Sequence, residues 1–248
     1  AHVGTGNFHE KNARIYTDFS LFTKHKDIAQ EVDNVFSFIA HSYKRFRFNH
    51  LIVSPLTARR RWYQLIDNEI NIASEGKKAA ITLKVNNLVD KGLIDRLYVA
   101  SNAGVKIRII VRGMCSLIPK VVGLSENISI ISIVDQFLEH PRLMLFRNQG
   151  EQLLYISSAD WMERNLDQRV EVACPIYDNT LKQRIIDTLE LQFKDNQKAR
   201  IINKHQNNMY VKSNQKTPIR SQFAIYDYLK EQEKLDKCVL INTLSETS

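Results

Sequence analysis

The stretch AAITLKVNNLVDKGLIDRLYVASNAGVKIRIIVR, residues 79–112, decides the fold class. Its first seven residues (79–85) form an apolar run of strand length. Asp90 stands where a helix N-cap is wanted, because its carboxylate can accept a free N–H of the first turn. Leu93, Ile94, Leu97 and Ala100 recur on one helical face, and Gly104 supplies a C-terminal stop. VKIRIIVR (105–112) reads as a second strand. Strand, helix and strand in that order predict a parallel crossover unit, since parallel neighbours need a connection of this length.

Working outward, DFSLFT (18–23) alternates like a short strand. KDIAQEVDNVFSFIAHS (26–42) carries Ile28, Val32, Val35, Phe36 and Ile39 at helical spacing. YKRFRFNH (43–50) is a basic, aromatic connector, and LIVSP (51–55) is a buried-type strand halted by Pro55. A helix is predicted from Thr57, its N-cap, to Ser74, with Gly76 just beyond. Further strands are predicted at 128–134, 143–148, 152–158 and 170–176, and an amphipathic helix at 179–194. Residues 195–220 are polar and basic, and a helix near 221–234 precedes a tail, 235–248. The class is α/β, a mixed sheet flanked by helices.

The length suits one large or two modest domains. No apolar run is long enough to span a membrane. The chain opens AHVGTGN without an initiator Met and reads as starting inside a longer protein. Cys115, Cys174 and Cys238 show no C-x-x-C spacing, which argues against a disulfide framework or a zinc site. A reducing, cytoplasmic location is expected, with attachment at the periphery of the inner membrane left open. The net charge of +8 favours a polyanionic partner: nucleic acid, an anionic membrane surface or a phosphate polymer.

The chemistry gathers in three stretches. In FLEHPRLMLF (137–146), His140 and Arg142 are two apart, so in a strand they share one face. In YISSAD (155–160) a strand ends in Ser157 and Ser158, followed by Asp160. In HVGTGN (2–7) a strand ends similarly in Gly4, Thr5, Gly6 and Asn7. Small residues let backbone N–H groups approach an anion, and hydroxyl and amide side chains add donors. Two such strand ends suggest two related halves facing one another, with Asn7 and Ser158 as phosphate-binding candidates. Lys84 and Asn86 finish the first strand of the crossover and either face the same cleft as Arg112 or are solvated. Tyr16 is either core or a stacking ring at a pocket mouth. The basic stretches 58–62 and 198–220 are solvated faces or a path for a polymer.

The order His-x-Arg, strand, turn near Gly150, then strand ending Ser-Ser-x-Asp resembles the phospholipase D superfamily. There, a His-x-Lys and a Gly/Ser-x-Asn element are supplied twice to one shared site. Longer strings are more specific: HVGTGNFHEKNARIYTDFSLFT (2–23), ITLKVNNLVDKGLIDRLYVASNAGV (81–105), VRGMCSLIP (111–119), SENISIISIVDQFLEHPR (125–142), ISSADWMERNLDQRVEV (156–172) and AIYDYL (224–229). Together they closely resemble the C-terminal region of bacterial polyphosphate kinases of phospholipase-D-like type.

That resemblance implies a fold and a reaction. The fold would be a phospholipase-D-like mixed sheet: the tail of a first catalytic half (1–50), a complete second half (51–234), and the tail 235–248. The reaction would pass the γ-phosphate of ATP to a histidine and then to inorganic polyphosphate, releasing ADP, reversibly and with Mg²⁺. Tyr16 matches the tyrosine that meets the adenine, Arg112 a phosphate-contacting arginine, and His140 the second active-site histidine. His140 and Arg142 would be the catalytic pair. The phosphorylated histidine and the metal ligands of the family lie further upstream, so no metal ligand is expected in this chain, and the chain alone is expected to be inactive. His2 belongs to the strand entering Gly4–Asn7 and is not that nucleophile. A homo-oligomer is implied, and no nucleic-acid partner. Two other readings stay open: a phospholipase-D-like phosphodiesterase or nuclease, and a non-catalytic module that binds polyanions.

Overall fold

The computed structural model describes residues 1–212 and 217–245. In chain order the elements are β1 (His2–Gly4), α1 (Glu10–Ala13), β2 (Tyr16–Thr17), β3 (Ser20–Phe22), α2 (Lys26–Ala40), β4 (Ile52–Ser54) and α3 (Ala58–Ser74). The crossover comes next as β5 (Ala80–Val85), α4 (Lys91–Asn102) and β6 (Lys106–Val111). Then come β7 (Ile128–Ile133), β8 (Leu138–Glu139), β9 (Arg142–Phe146), β10 (Leu153–Ser157), β11 (Glu171–Pro175), α5 (Asn179–Phe193), β12 (Ala199–Ile202) and α6 (Ser221–Ser245).

The central sheet has the order β12-β7-β6-β5-β9-β10-β11-β4. Strands β5, β6 and β7 are parallel, and the remaining neighbours are antiparallel, so the sheet is mixed. The crossover behaves as its pattern requires: Asp90 caps α4 by accepting the Leu93 N–H, and Gly104 takes φ +95° at the helix exit. Side chains alternate across the sheet. Ile81, Leu83 and Val85 pack with Trp62, Leu93 and Leu97 of α3 and α4. On the other face Ile110, Leu143 and Ile156 pack with Ile185 and Leu189 of α5 and Ile28 and Val35 of α2. Lys84 and Thr82 alternate with the first set and are therefore carried towards α5.

Two small sheets attach the N-terminal segment. β1 pairs antiparallel with β3, and β2 pairs parallel with β8, setting Tyr16 against Leu138 and Thr17 against Glu139. The second pairing brings residues far apart in sequence to one place.

Several expectations shift. On α2, Phe36 and Ile39 are exposed, whereas Phe38 and Glu31 are buried. Glu31 is satisfied by the backbone N–H groups of Asn49, His50 and Leu51, which it holds at the entry to β4. Thr57 makes no side-chain cap; its hydroxyl bonds the Val53 backbone instead. The basic stretch after α5 contains β12, an edge strand paired with β7. Helix α6 continues past residue 234 to Ser245, while 246–248 and 213–216 lie outside the described residues. Cys115 and Cys174 are free thiols. Among the described residues no helix is long and apolar enough to cross a membrane.

Candidate active site

The β2–β8 pairing sets two residues beyond its strand ends face to face: Asp18, next after Thr17, and His140, next after Glu139. His140 Nδ1 lies 2.9 and 3.0 Å from the two Asp18 carboxylate oxygens. The Tyr16 ring centroid is 5.0 Å from that of the imidazole. Asp18 is itself held by the Thr5 hydroxyl, 2.6 Å away. Gly6 is required beside it, because a Cβ there would sit 2.2 Å from the Asp18 carboxylate.

His140 is not in a strand. Pro141 comes directly after it, lacks an N–H and biases the preceding residue out of regular pairing, so the ladder begins at Arg142. Arg142 is buried, and its Nε and one of its two amino groups donate within the fold. Nε donates to Asp160 (3.0 Å), and one amino group donates to the Thr5 carbonyl (3.1 Å) and to His140 Nε2 (2.9 Å). Arginine only donates, so Nε2 carries the lone pair and the ring proton resides at Nδ1, where Asp18 accepts it. Arg142 thus orients the imidazole through one amino group, while its second amino group has no hydrogen-bond partner among the described residues.

Arg112 takes the outward position. Its Nε donates to Asn86 Oδ1 (2.9 Å) and to the Glu139 carbonyl (2.7 Å). Among the described residues its two terminal amino groups have no hydrogen-bond partner. Burial and then the neighbouring Arg142 charge lower its pKa, yet a guanidinium stays a cation near neutral pH. A half-buried arginine with a free fork is a ready ligand for a phosphate.

Asn86 is buried, bonded to Arg112 and to the His140 carbonyl (3.4 Å); it positions the arginine and does not itself face a ligand. Lys84 is also buried, 2.5 Å from Glu139 and 3.1 Å from Gln192. Burial alone would push the Glu139 carboxyl up, but Lys84 and the amides of Gln222 and Gln192 outweigh it and hold it below the usual range. Strand parity thus carries Lys84 into the fold, where Glu139 takes up its charge. The Ser158 hydroxyl donates to Glu171 and accepts the Val172 N–H, so it too is engaged. Asn7 is exposed and lines a cleft of about 510 Å³ with Phe8, His9, Tyr16 and Asp18. Tyr16 and Asp18 also border a second cavity of about 290 Å³, walled by Phe137, Pro141, Gln222 and Leu229.

Asp18 and Asp160 were not among the expected site residues. Asp160 accepts from Arg142, from the Asn86 backbone and from the Asn87 amide, joining the start of β9 to the loops after β5 and β10. Asp18 had a signal. Thr5 bonds Asp18 thirteen positions on, and Ser158 bonds Glu171 thirteen positions on. In both, the hydroxyl residue exchanges backbone contacts with the residue after the carboxylate: Thr5 with Phe19, Ser158 with Val172. One local design occurs twice.

This chain is similar to known proteins over nearly its whole length. The family model described as Polyphosphate kinase C-terminal domain 2 matches residues 51–222, and Polyphosphate kinase C-terminal domain 1 matches residues 1–45. The polyphosphate kinase of Vibrio parahaemolyticus is 60% identical over 234 residues, covering 94% of this chain and 34% of that protein. The polyphosphate kinase of Escherichia coli K12 is 53% identical over 234 residues, again 94% of this chain and 34% of the relative. The crystal structure of polyphosphate kinase from Porphyromonas gingivalis superposes with a TM-score of 0.91 at 44% identity, covering 94% of this chain and 36% of that one. The chain thus spans about a third of the length of the curated relatives it matches. With family models covering both its segments, this chain belongs to the polyphosphate kinase family, in that family's C-terminal region.

Proposed function

We propose that this chain supplies the second-histidine half of a polyphosphate kinase site. The reaction is reversible transfer of the ATP γ-phosphate to inorganic polyphosphate through a phosphohistidine. The observation that carries this reading is the convergence of Tyr16, Asp18, Arg112 and His140 from two separately matched segments. We divide the chain accordingly at 50/51, with residues 1–50 closing a first half and 51–234 forming the second.

In this reading the Tyr16 ring meets the adenine. The free fork of Arg112 grips phosphate oxygens, with Asn7 as a further donor at the cleft. Phosphoryl transfer asks a protein chiefly for positioning and charge stabilisation. His140 exchanges a proton at Nε2 with the transferring group once the phosphate draws Arg142 off that nitrogen, and Asp18 keeps the proton at Nδ1. The attacking histidine would lie ahead of Ala1 in the longer protein. By the repeated local design, Glu171, held by Ser158 as Asp18 is held by Thr5, would be the carboxylate that orients it.

Magnesium would neutralise the nucleotide phosphates when bound. Among the described residues no group of three or more His, Cys, Asp or Glu side chains converges on one point. They do not form a metal cage.

The test is made on the full-length parent. Incubation with γ-labelled ATP should give an acid-labile, base-stable phosphoenzyme that passes its label to polyphosphate. No labelling would refute the kinase reading and favour a phosphodiesterase or a binding module.

A further inference from the structure

His140 rides on a segment that the central sheet does not hold. Within residues 135–140 only Leu138 and Glu139 are in a ladder, and their partner β2 is two residues long. The rest of the hold comes from side chains. Gln222, in the first turn of α6, accepts the Phe137 N–H (3.0 Å) and donates to the Phe137 carbonyl (2.8 Å). One side-chain amide pairs with the peptide as a neighbouring strand would. The same Nε2 donates to Glu139 (2.7 Å), whose other oxygen takes Lys84 and Gln192. The start of α6 is itself fixed, because Ser221 N–H bonds Asp195 (2.7 Å) and Arg220 forks onto Asp135.

We propose that Gln222 is a positioning residue for the reaction: it sets the backbone of Phe137–Glu139 and thereby aims both His140 and Arg112. The link to Arg112 is direct, since its Nε hangs on the Glu139 carbonyl. The link to His140 is the next peptide along the chain. The proposal rests on the reading of His140 as the second active-site histidine. The Lys84–Glu139–Gln192 part of this network is buried and holds one geometry. The Gln222–Phe137 bonds extend that hold to the more exposed part of the segment, and a misplacement of about 1 Å at a reacting group can cost roughly 10²-fold in rate. The Lys84–Glu139 pair anchors the same segment from β5, which gives the buried lysine a purpose other than binding phosphate.

The experiment uses the full-length parent with Gln222→Met, which keeps length and apolar packing and removes every hydrogen bond. The expected result is a kcat for polymer synthesis lower by roughly 10- to 100-fold, a smaller rise in nucleotide KM, and an unchanged melting temperature. Backbone hydrogen exchange should quicken over 135–140 and stay the same in β5 and β6. Gln222→Glu, which sets a second carboxylate against Glu139, should be worse than Gln222→Met. Unchanged exchange over 135–140 would overturn the hold, and faster exchange with wild-type kcat would overturn its role in the reaction. A parent carrying His140→Ala that keeps full activity would refute the reading of His140 instead, and the exchange data would still decide the hold.

Discussion

Asp18→Asn tests the site at its most exposed joint. The carboxylate accepts the His140 Nδ1–H in a fork at 2.9 and 3.0 Å and the Thr5 hydroxyl at 2.6 Å. Asparagine keeps the shape but loses the charge and one acceptor. A hydrogen bond to a charged group contributes about 1.5–3 kcal/mol. If His140 gains positive charge only as the phosphate moves, most of that stabilisation belongs to the transition state. At about 1.4 kcal/mol per tenfold, kcat should fall roughly 10- to 150-fold. Nucleotide affinity, which we assign to Tyr16 and Arg112, should change little. The assay is steady-state polyphosphate synthesis by the full-length parent, with nucleotide binding measured separately. A kcat within about twofold of wild type, in a folded variant, would refute the assignment of Asp18 to His140. A rise confined to nucleotide KM would refute it equally, because it would make Asp18 a binding group.

The same contacts bear on other variants. Gly6→Ala should mimic Asp18→Asn in kcat while leaving the melting temperature nearly unchanged, because the three atoms nearest the added Cβ all belong to the Asp18 carboxylate, the far end of a flexible side chain. Lys84→Met should destabilise by about 3–5 kcal/mol in urea unfolding, since it strands the Glu139 charge in the core. Replacing both members by apolar residues should cost much less. Burial would raise the Asp195 carboxyl, but the N–H groups of Lys198, Ser221 and Ala199 bring it below its usual value. Its folded pKa is depressed, so its stabilisation is complete above the unfolded value of about 3.9 and disappears as pH falls through the folded one. The melting temperature should therefore drop on acidification below that range, and Asp195→Asn should flatten the drop.

The parts of this molecule that are periodic were legible in the sequence. The 79–112 crossover, α2, α3 and α5 announce themselves because burial on one face imposes spacing. The two-residue pair β2–β8 has no period to read, and it is this pair that joins the halves of the site. His140 and Arg142 were legible as a pair, but the hydrogen bond from the arginine to the imidazole was not. The i, i+2 rule presumes a strand, and Pro141 ends regular pairing between them. Their place at a strand's end left Lys84 and Asn86 either facing the cleft or solvated. Strand parity sends Lys84 to the α5 layer, where Glu139 neutralises it, a partner that only tertiary structure supplies. Asp18 was concealed inside a short alternating run, although its spacing from Thr5, repeated by Ser158 and Glu171, was present in the sequence.

The central claim is that His140, presented by the second half and oriented by Asp18 of the first, assists phosphoryl transfer. The most direct measurement is polyphosphate synthesis by the full-length parent carrying His140→Ala, with its folding verified. The account predicts a loss on the order of 10²–10³ in kcat, the usual cost of deleting one group that stabilises a transition state. Synthesis at the wild-type rate would contradict it.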